Sequence, residues 1–310
     1  MYKYRFSLFT ATYNRADQLL ELSKCIDRQT YQGSFEWVIV SDGSTDHTAE
    51  VVASIKASSR IPIVFVDYRV NRGKHHAWKS ALEVFQGRYV ITCDDDDPIS
   101  ADMLQVFDHY WQELEQLPDY ERYWEVRARA QYEDGRLVGP VLPQPYLDSD
   151  YNELTFQRKQ GCEMVGCRKL EVLKKEAAVP AHFYFEESCS NFPEGVRWSR
   201  AARIYKTRFV PDVVRTYVIG HDSLCYQRAK MPRTSRKNYN SLVNALYAIN
   251  EQGDLLRRYD FINYLKTILH LSYSSVRVKE HIVGYINRPL DRFLAIVAYC
   301  PAYLLYLAKR

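Results

Sequence analysis

The stretch Tyr89–Ser100, which reads YVITCDDDDPIS, places four carboxylates directly after a short apolar run. Adjacent like charges repel, and removing any of them from water is costly unless a cation or hydrogen-bond donors compensate. One interpretation is an acidic turn that caps the next helix, because Asp favours turns and first helical turns. The other is a divalent metal site, because Mg²⁺ and Mn²⁺ prefer carboxylate oxygens and often complete their shell with substrate phosphates.

Strand and helix signals alternate in the chain that leads up to the four aspartates. The apolar runs predict strands at 5–11, 36–42, 61–68 and 88–93, separated by helices at 16–29, 45–57 and 73–85. This alternation is typical of βαβ units in a mostly parallel sheet with both faces covered. Ser44 or Thr45 is expected to cap the second helix. Ligands of such sheets bind beyond the carboxyl ends of the strands, where polar clusters at 10–15, 41–46 and 94–97 fall.

The pattern is less regular after residue 117. A hairpin is expected around Asp134 and Gly135, a strand leading into a helix at 161–177, and a helix followed by short strands at 196–224. The chain is helical in character after Lys237, and we expect a domain boundary near residue 226.

Composition restricts the class of protein. The chain has 310 residues, 46% of them hydrophobic, and a formal net charge of +4, which is too small to indicate a nucleic-acid partner. Its seven cysteines show no C-x-x-C spacing, which favours reduced thiols in a cytosolic protein. The start of the sequence predicts a strand instead of a signal peptide, so we expect a cytoplasmic working face.

Four motifs, in this order, carry a resemblance to a known family: FTATYNRADQLLELSKCIDRQTY, EWVIVSDGSTDHTAEVV, NRGKHHAWKSAL and YVITCDDDDPISADML. Together they resemble the inverting family 2 glycosyltransferases of GT-A fold. The resemblance implies an α/β fold with a Rossmann-like mixed sheet flanked by helices and a helical C-terminal extension. It also implies that residues 1–117 bind a nucleotide sugar, that 118–226 bind the acceptor, and that 227–310 form the helical region.

The resemblance implies a metal-dependent transfer that uses Mn²⁺ or Mg²⁺. Asp96 is expected to bind the metal, with Asp94 next, Asp97 in reserve and His221 as a late ligand. Asp94 and Asp96 lie two residues apart and point to the same side if the chain is still extended. Asp95 departs from the family pattern, which has a small residue there, and this leaves open which two of the four carboxylates touch metal.

The donor is expected to be a UDP-sugar. Asp42 would accept a base N–H, while Asp46 would cap a helix; the alternative is that both only shape a turn. Gly73 lets the backbone pass close to a ligand, and a helix start flanked by Arg and Lys attracts phosphate. Adjacent His75 and His76 point about 100° apart on a helix and are not expected to share an ion. The full set of expected donor-binding residues is Thr10, Ala11, Tyr13, Arg15, Asp42, Asn71, Gly73, Lys74, Asp94 and Asp95.

An inverting transfer needs a general base for the acceptor hydroxyl. The resemblance places it at Glu194, ahead of a helix, and the alternative is a helix N-terminal carboxylate with no catalytic role. Glu186, Glu187 and Asp222 are rivals for the base.

The end of the chain is apolar from Phe293 to Ala308, between Arg288 and Arg292 on one side and Lys309 and Arg310 on the other. It is short for a spanning helix and contains Pro301, so we expect it to lie on a membrane surface. Packing on the catalytic domain or in a homodimer is the alternative.

The main hypothesis is therefore a glycosyltransferase at the inner face of the cell membrane, acting on a cell-surface glycan or its lipid-linked precursor. The alternatives are a catalytically inactive glycan-binding or assembly subunit and a nucleotidyltransferase, which would release pyrophosphate.

Overall fold

The structure is a computed structural model that describes residues 2–177, 194–218 and 235–308. Eight strands are described: β1 (Tyr4–Thr12), β2 (Phe35–Ser41), β3 (Ile63–Asp67), β4 (Gly87–Thr92), β5 (Tyr123–Tyr132), β6 (Leu147–Ser149), β7 (Met164–Lys169) and β8 (Lys206–Tyr217). Nine α-helices are described within the same ranges: α1 (Ala16–Asp27), α2 (Thr48–Ser58), α3 (Lys74–Val84), α4 (Met103–Glu115), α5 (Leu170–Ala177), α6 (Glu194–Ala201), α7 (Ser235–Tyr259), α8 (Phe261–Val278) and α9 (Pro289–Ala308).

The strands form one mixed sheet in the order β3-β2-β1-β4-β7-β5-β8-β6. Strands β1 to β4 are parallel to one another, β7 is antiparallel to both β4 and β5, and β8 is parallel to β5. The carboxyl ends of β1, β2, β3, β4, β5 and β8 therefore meet at one edge of the sheet, which we call the carboxyl edge.

Alternate strand residues face opposite helical layers, as a buried sheet requires. Leu8 and Ile39 pack with α1, α2 and α4, whereas Phe9 and Val38 pack with α3, α5 and α6. Each fully buried large apolar side chain contributes about 1.5–3 kcal/mol to folding. The two layers thus hold the carboxyl edge on a rigid support.

Helices α7, α8 and α9 form a separate apolar cluster, which includes Leu246, Ile268 and Ala295. Gln252 of α7 donates to the carbonyl of Gly195 in α6 (3.1 Å), so the cluster is tied to the sheet domain. The expected boundary at residue 226 lies outside the described residues.

Two local expectations are wrong. Neither Ser44 nor Thr45 caps α2, because the helix starts at Thr48 and Asp46 accepts the Thr48 amide N–H (3.1 Å) and hydroxyl (2.6 Å). Asp46 therefore satisfies the first amide N–H of α2, as expected of a capping residue, although the N-cap position itself is His47. The short strands expected after α6 are one 12-residue strand, β8, because its register shifts along β5 absorb the irregularities of the sequence.

Candidate functional site

Four loops meet at the carboxyl edge of the sheet. They follow β1, β2, β3 and β4 and carry the polar clusters that the sequence places at strand ends. The start of β7 and the end of β8 lie at the same edge, because β7 runs antiparallel to β4 and β8 runs parallel to β5. Residues that are distant in sequence thus share one surface.

The four aspartates 94–97, which we call the aspartate run, are paired with three cations of the chain itself. Lys74 Nζ lies 2.6 Å from Asp94 Oδ1. Arg15 Nη1 bridges Asp95 (2.9 Å) and Asp96 (2.6 Å). Arg215 of β8 is the third cation. Three positive charges thus face four carboxylates, which leaves one net negative charge.

Arg215 is the third cation and comes from β8. Its Nη1 lies 3.1 Å from Asp97 Oδ2 and 3.7 Å from Asp94 Oδ2. Arg215 is 7% exposed and Asp97 is 5% exposed, so this pair is shielded from solvent. The amide N–H of Val218 also donates to Asp97 (3.2 Å), which fastens the end of β8 to the aspartate run.

The pKa directions separate the four carboxyls. Lys74 holds the pKa of Asp94 below its usual range, and Asp94 in turn raises the pKa of the lysine. Burial raises the pKa of Asp95 to about 6 and that of Asp97 to about 6, although Arg15 and Arg215 oppose the shift. Asp94 is therefore the most firmly ionised of these three at neutral pH.

The expected metal ligands do not converge in the described part of the chain. No group of three His, Cys, Asp or Glu side chains there is close enough to hold an ion. The reason is that Asp94, Asp96 and Asp97 turn to three different cations. Asp94 and Asp96 are the most open of the three, with 34% and 33% of their side chains exposed. His221 lies outside the described residues.

Asp42 fastens the loop after β3 to the end of β2. Its two carboxylate oxygens accept the backbone N–H groups of Arg72 (2.7 Å) and Gly73 (2.7 Å). Gly73 has a φ of 103°, which favours glycine, and directly precedes α3. Asp42 thereby sets the start of the helix that carries Lys74. Asp42 is buried, and base recognition by Asp42 stays a prediction.

The expected donor residues at the end of β1 and in the loop after it differ in their exposure to solvent. Thr10 is buried and its hydroxyl accepts the indole N–H of Trp37 (3.0 Å), so this side chain belongs to the core. Ala11 is half-buried, and Tyr13 is 44% exposed. Tyr13 is thus the one apolar surface of this loop that is open to a ligand. Asn71, half-buried in the loop after β3, packs with its backbone against Gly43.

Glu194 begins α6 and is exposed. The charge of Glu194 contributes to the raised pKa of Lys74, so its carboxylate is near enough to the carboxyl edge to affect a charge there. Glu194 also lines a small cavity of about 20 Å³, room for about one water molecule, together with Trp78, Arg197 and Trp198. The rivals Glu186, Glu187 and Asp222 lie outside the described residues.

Two site features were missed by sequence reasoning. Arg215 was not considered, although a lone arginine within the apolar run of VPDVVRTYV is a usable signal of a buried ion pair. The second is a contact between helices: Arg197 Nη2 lies 2.8 Å from His75 Nδ1. It joins the start of α3 to α6, and no local pattern indicates it.

A family model described as Glycosyl transferase family 2 matches residues 7–175. An uncharacterised glycosyltransferase of Rickettsia conorii is 26% identical over 144 residues, 45% of this chain and 23% of that protein. Poly-beta-1,6-N-acetyl-D-glucosamine synthase of Staphylococcus aureus is 31% identical over 103 residues, 32% of this chain and 24% of that protein. The matches thus span about a quarter of the length of these curated relatives.

Solved structures resemble the whole chain. TarS 1–349 of S. aureus in complex with UDP-GlcNAc superposes with a TM-score of 0.67 at 15% identity, covering 99% of this chain and 92% of that one. The mannosyltransferase PcManGT of Pyrobaculum calidifontis, in complex with GDP-Man and Mn²⁺, gives a TM-score of 0.58 at 18% identity, covering 98% and 81%. At these identities the likeness establishes the fold, and the expected fold class is confirmed.

Proposed function

The chain belongs to glycosyl transferase family 2, and from this premise we propose that it transfers a sugar, with inversion, from a UDP-sugar to an acceptor hydroxyl. The observation that carries the proposal is the aspartate run at the carboxyl edge, with Lys74 and Arg15 paired to it. Such an edge is where ligands of open α/β sheets bind.

The charge of the site supports a divalent cation. The aspartate run and its three cations leave one net negative charge, so a donor diphosphate would be repelled without a further positive charge. Mg²⁺ is commonly held by one or two carboxylates together with substrate phosphates, so three converging protein ligands are not required. The residues therefore fit Mn²⁺ or Mg²⁺, with Asp96 as first ligand and Asp94 as second.

When bound, the metal supplies charge stabilisation for the departing diphosphate. Arg15 must release Asp96 for such binding, and its guanidinium, which also pairs with Asp95, would then face the phosphate oxygens. Lys74, at the start of α3, lies on the same edge and adds a second positive charge to the leaving group. In this proposal Arg15 and Lys74 pair with carboxylates when the donor is absent and with its phosphates when the donor is bound.

Glu194 is the proposed general base. Its exposure leaves it accessible to an acceptor, and its contribution to the raised pKa of Lys74 puts it near the carboxyl edge. The His75–Arg197 contact ties α6 to α3 and so fixes the position of Glu194 relative to Lys74. As base, Glu194 would take the proton of the acceptor hydroxyl while that oxygen attacks the anomeric carbon.

The acceptor is proposed to be a cell-surface glycan or its lipid-linked precursor, and the place of action the inner face of the cell membrane. Support comes from a relative that is named as a synthase of a poly-N-acetylglucosamine. Because a TarS structure holds UDP-GlcNAc, this is the first donor to test.

The test is a panel of nucleotide sugars, scored by thermal protection of the full chain with and without Mn²⁺ and by the product released. We expect protection by one UDP-sugar with Mn²⁺, followed by release of UDP when acceptor is present, because a ligand stabilises the state it binds. Release of pyrophosphate instead would indicate a nucleotidyltransferase. Protection without turnover on any glycan acceptor would indicate an inactive binding subunit.

A further inference from the structure

We propose that α9 and the first turns of α8 form one surface that binds an anionic lipid bilayer. We call it the membrane face; among described residues its exposed large apolar members are Phe261, Ile262, Leu265, Leu290, Phe293, Ile296, Val297, Tyr299, Tyr303, Leu304, Leu305 and Leu307. The inference goes beyond sugar transfer and does not depend on the chemistry at the carboxyl edge.

Helix α9 is apolar on nearly all of its exposed sides. A narrow stripe of Asp291, Ala295 and Ala302 is buried. Outside that stripe, Phe293 is 61% exposed and Leu304 is 61% exposed. No residue from 293 to 308 carries a charge. Monomeric soluble proteins rarely expose a contiguous apolar surface of this kind, so it marks a binding surface.

The start of α8 extends the same surface. Phe261, Ile262 and Leu265 are all exposed and, at spacings of three and four residues, share one side of the helix. The ring of Phe261 contacts that of Tyr264, whose hydroxyl donates to Asp291 of α9. The first turn of α8 and the first turn of α9 are therefore neighbours, which brings the exposed apolar side chains of the two helices to the same end of the helical cluster.

Cations border this surface. Arg288 and Arg292 are exposed ahead of the apolar run of α9, Lys266 is exposed beside Leu265, and Lys309 and Arg310 follow the run in sequence. Two acidic residues lie at this end: Asp260 caps α8 by accepting the Asn263 amide N–H (3.2 Å), and Asp254 lies 4.0 Å from Arg288 Nη2. An apolar surface bordered by Lys and Arg matches the interface of an anionic bilayer.

The packing of α9 favours a helix that lies on the bilayer. Among the described residues α9 is the helix long and apolar enough to cross a membrane, with 17% of its most apolar window buried. Its uncharged run of 293 to 308 is about 24 Å long, less than the hydrocarbon core of about 30 Å. Its stripe also packs on α8, where Ser272 Oγ donates to the Ala295 carbonyl (3.0 Å), so lipid cannot surround it.

A second copy of the chain fits this surface less well. Protein interfaces combine an apolar centre with a polar rim on one flat patch. Here the exposed Phe293, Tyr299 and Leu305 point about 120° apart around the helix, and no residue from 293 to 308 carries a charge. A fluid lipid phase covers such a convex surface, whereas one flat partner covers a part of it.

The experiment is sedimentation of the full chain with vesicles of phosphatidylcholine, with and without 30% phosphatidylglycerol, a composition on the order of an anionic cell membrane. The variants are Leu265→Glu in α8 and Phe293→Glu in α9. Val141→Glu is the matched control, because Val141 is 81% exposed and lies outside the membrane face. Thermal melts of all variants confirm folding, which is expected because the replaced side chains are exposed.

We expect the parent and Val141→Glu to sediment with anionic vesicles, more weakly at high salt. Each of Leu265→Glu and Phe293→Glu should lower the partition coefficient about tenfold or more, the effect of losing one large apolar anchor. The inference is overturned if the parent ignores anionic vesicles at low salt while forming a dimer that the two variants dissociate. An equal loss in Val141→Glu would also overturn it, because the membrane face would then be irrelevant.

Discussion

Two regions of the chain are opposite in charge content. The aspartate run after β4 has four adjacent carboxylates, whereas α9 has no charged residue from 293 to 308. The chain compensates the first internally, with Lys74, Arg15 and Arg215. It leaves the second exposed, with Phe293 and Leu304 each 61% open to solvent.

The difference indicates two kinds of binding. A ligand at the aspartate run must exchange with contacts that already exist, so binding there is a substitution of one set of charges for another. A ligand on α9 displaces only water, so binding there adds burial. Substitutions in the first region should therefore change stability and chemistry, and substitutions in the second should change association alone.

The largest effect is expected at Glu194. Glu194→Gln should lower transfer by about 10²- to 10⁴-fold while donor and metal affinity stay unchanged, because a general base acts only on the acceptor. Glu171→Gln is the matched control, since Glu171 is also exposed in the first turn of a helix. Steady-state transfer and donor titration measure the two properties. Full activity of Glu194→Gln would move the base to another carboxylate.

Removal of one internal cation should destabilise the fold. Arg215→Met leaves Asp97 buried without its ion pair, which costs about 3–5 kcal/mol of unfolding free energy at pH 7.5. Denaturant unfolding measures the loss. Arg203→Met, which breaks a more exposed ion pair with Asp254, should cost about 1 kcal/mol or less. Equal losses in the two variants would mean that Arg215 does not compensate the aspartate run.

The raised pKa values of Asp95 and Asp97 predict a pH dependence of stability. Both are about 6 in the folded protein against 3.8 for an ordinary aspartate, so the folded state binds more protons between these values. The free energy of unfolding contributed by these groups therefore falls as pH rises from about 4 to about 6, and is constant above. Metal-free urea titrations of parent and Asp95→Asn compare the slopes; an unchanged slope in the variant contradicts the assignment.

The smallest effect on stability is expected on α9. Ile296→Ser should change the free energy of unfolding by no more than about 0.5 kcal/mol, because Ile296 is 57% exposed. Ala295→Ser on the buried stripe is the contrasting variant and should cost more. A large loss in Ile296→Ser would show that this side chain is buried against protein in solution.

Much of the sheet domain follows from local sequence. The βαβ alternation, the family and the position of the four aspartates at the end of β4 were predicted, and the fold and family predictions are confirmed. Those features depend on the spacing of hydrophobic residues and on motifs no longer than about 25 residues. Both can be read directly from the sequence.

The partners of those residues did not follow from sequence. Arg215 meets Asp97 because β8 pairs with β5 in the sheet, a neighbour that no local pattern specifies. Thr10 was expected at the donor, which stays a prediction, and the structure adds the hydrogen bond that its hydroxyl accepts from Trp37 in the core. Asp42 was expected to bind the nucleotide base, and the structure adds the hydrogen bonds that it accepts from the loop before α3. Each depends on long-range packing, which one sequence without its contacts does not specify.

The central claim is that the aspartate run binds a donor diphosphate through a divalent cation held first by Asp96. It is tested most directly by calorimetric titration of a UDP-sugar into the chain, with Mn²⁺ or with chelator, for the parent, Asp96→Asn and the exposed control Asp17→Asn. We expect Mn²⁺-dependent binding in the parent and in Asp17→Asn, whose side chain is 88% exposed. Asp96→Asn should bind donor at least about 10²-fold more weakly and without regard to Mn²⁺. Donor binding that is equal in all three proteins, with or without Mn²⁺, would contradict the claim.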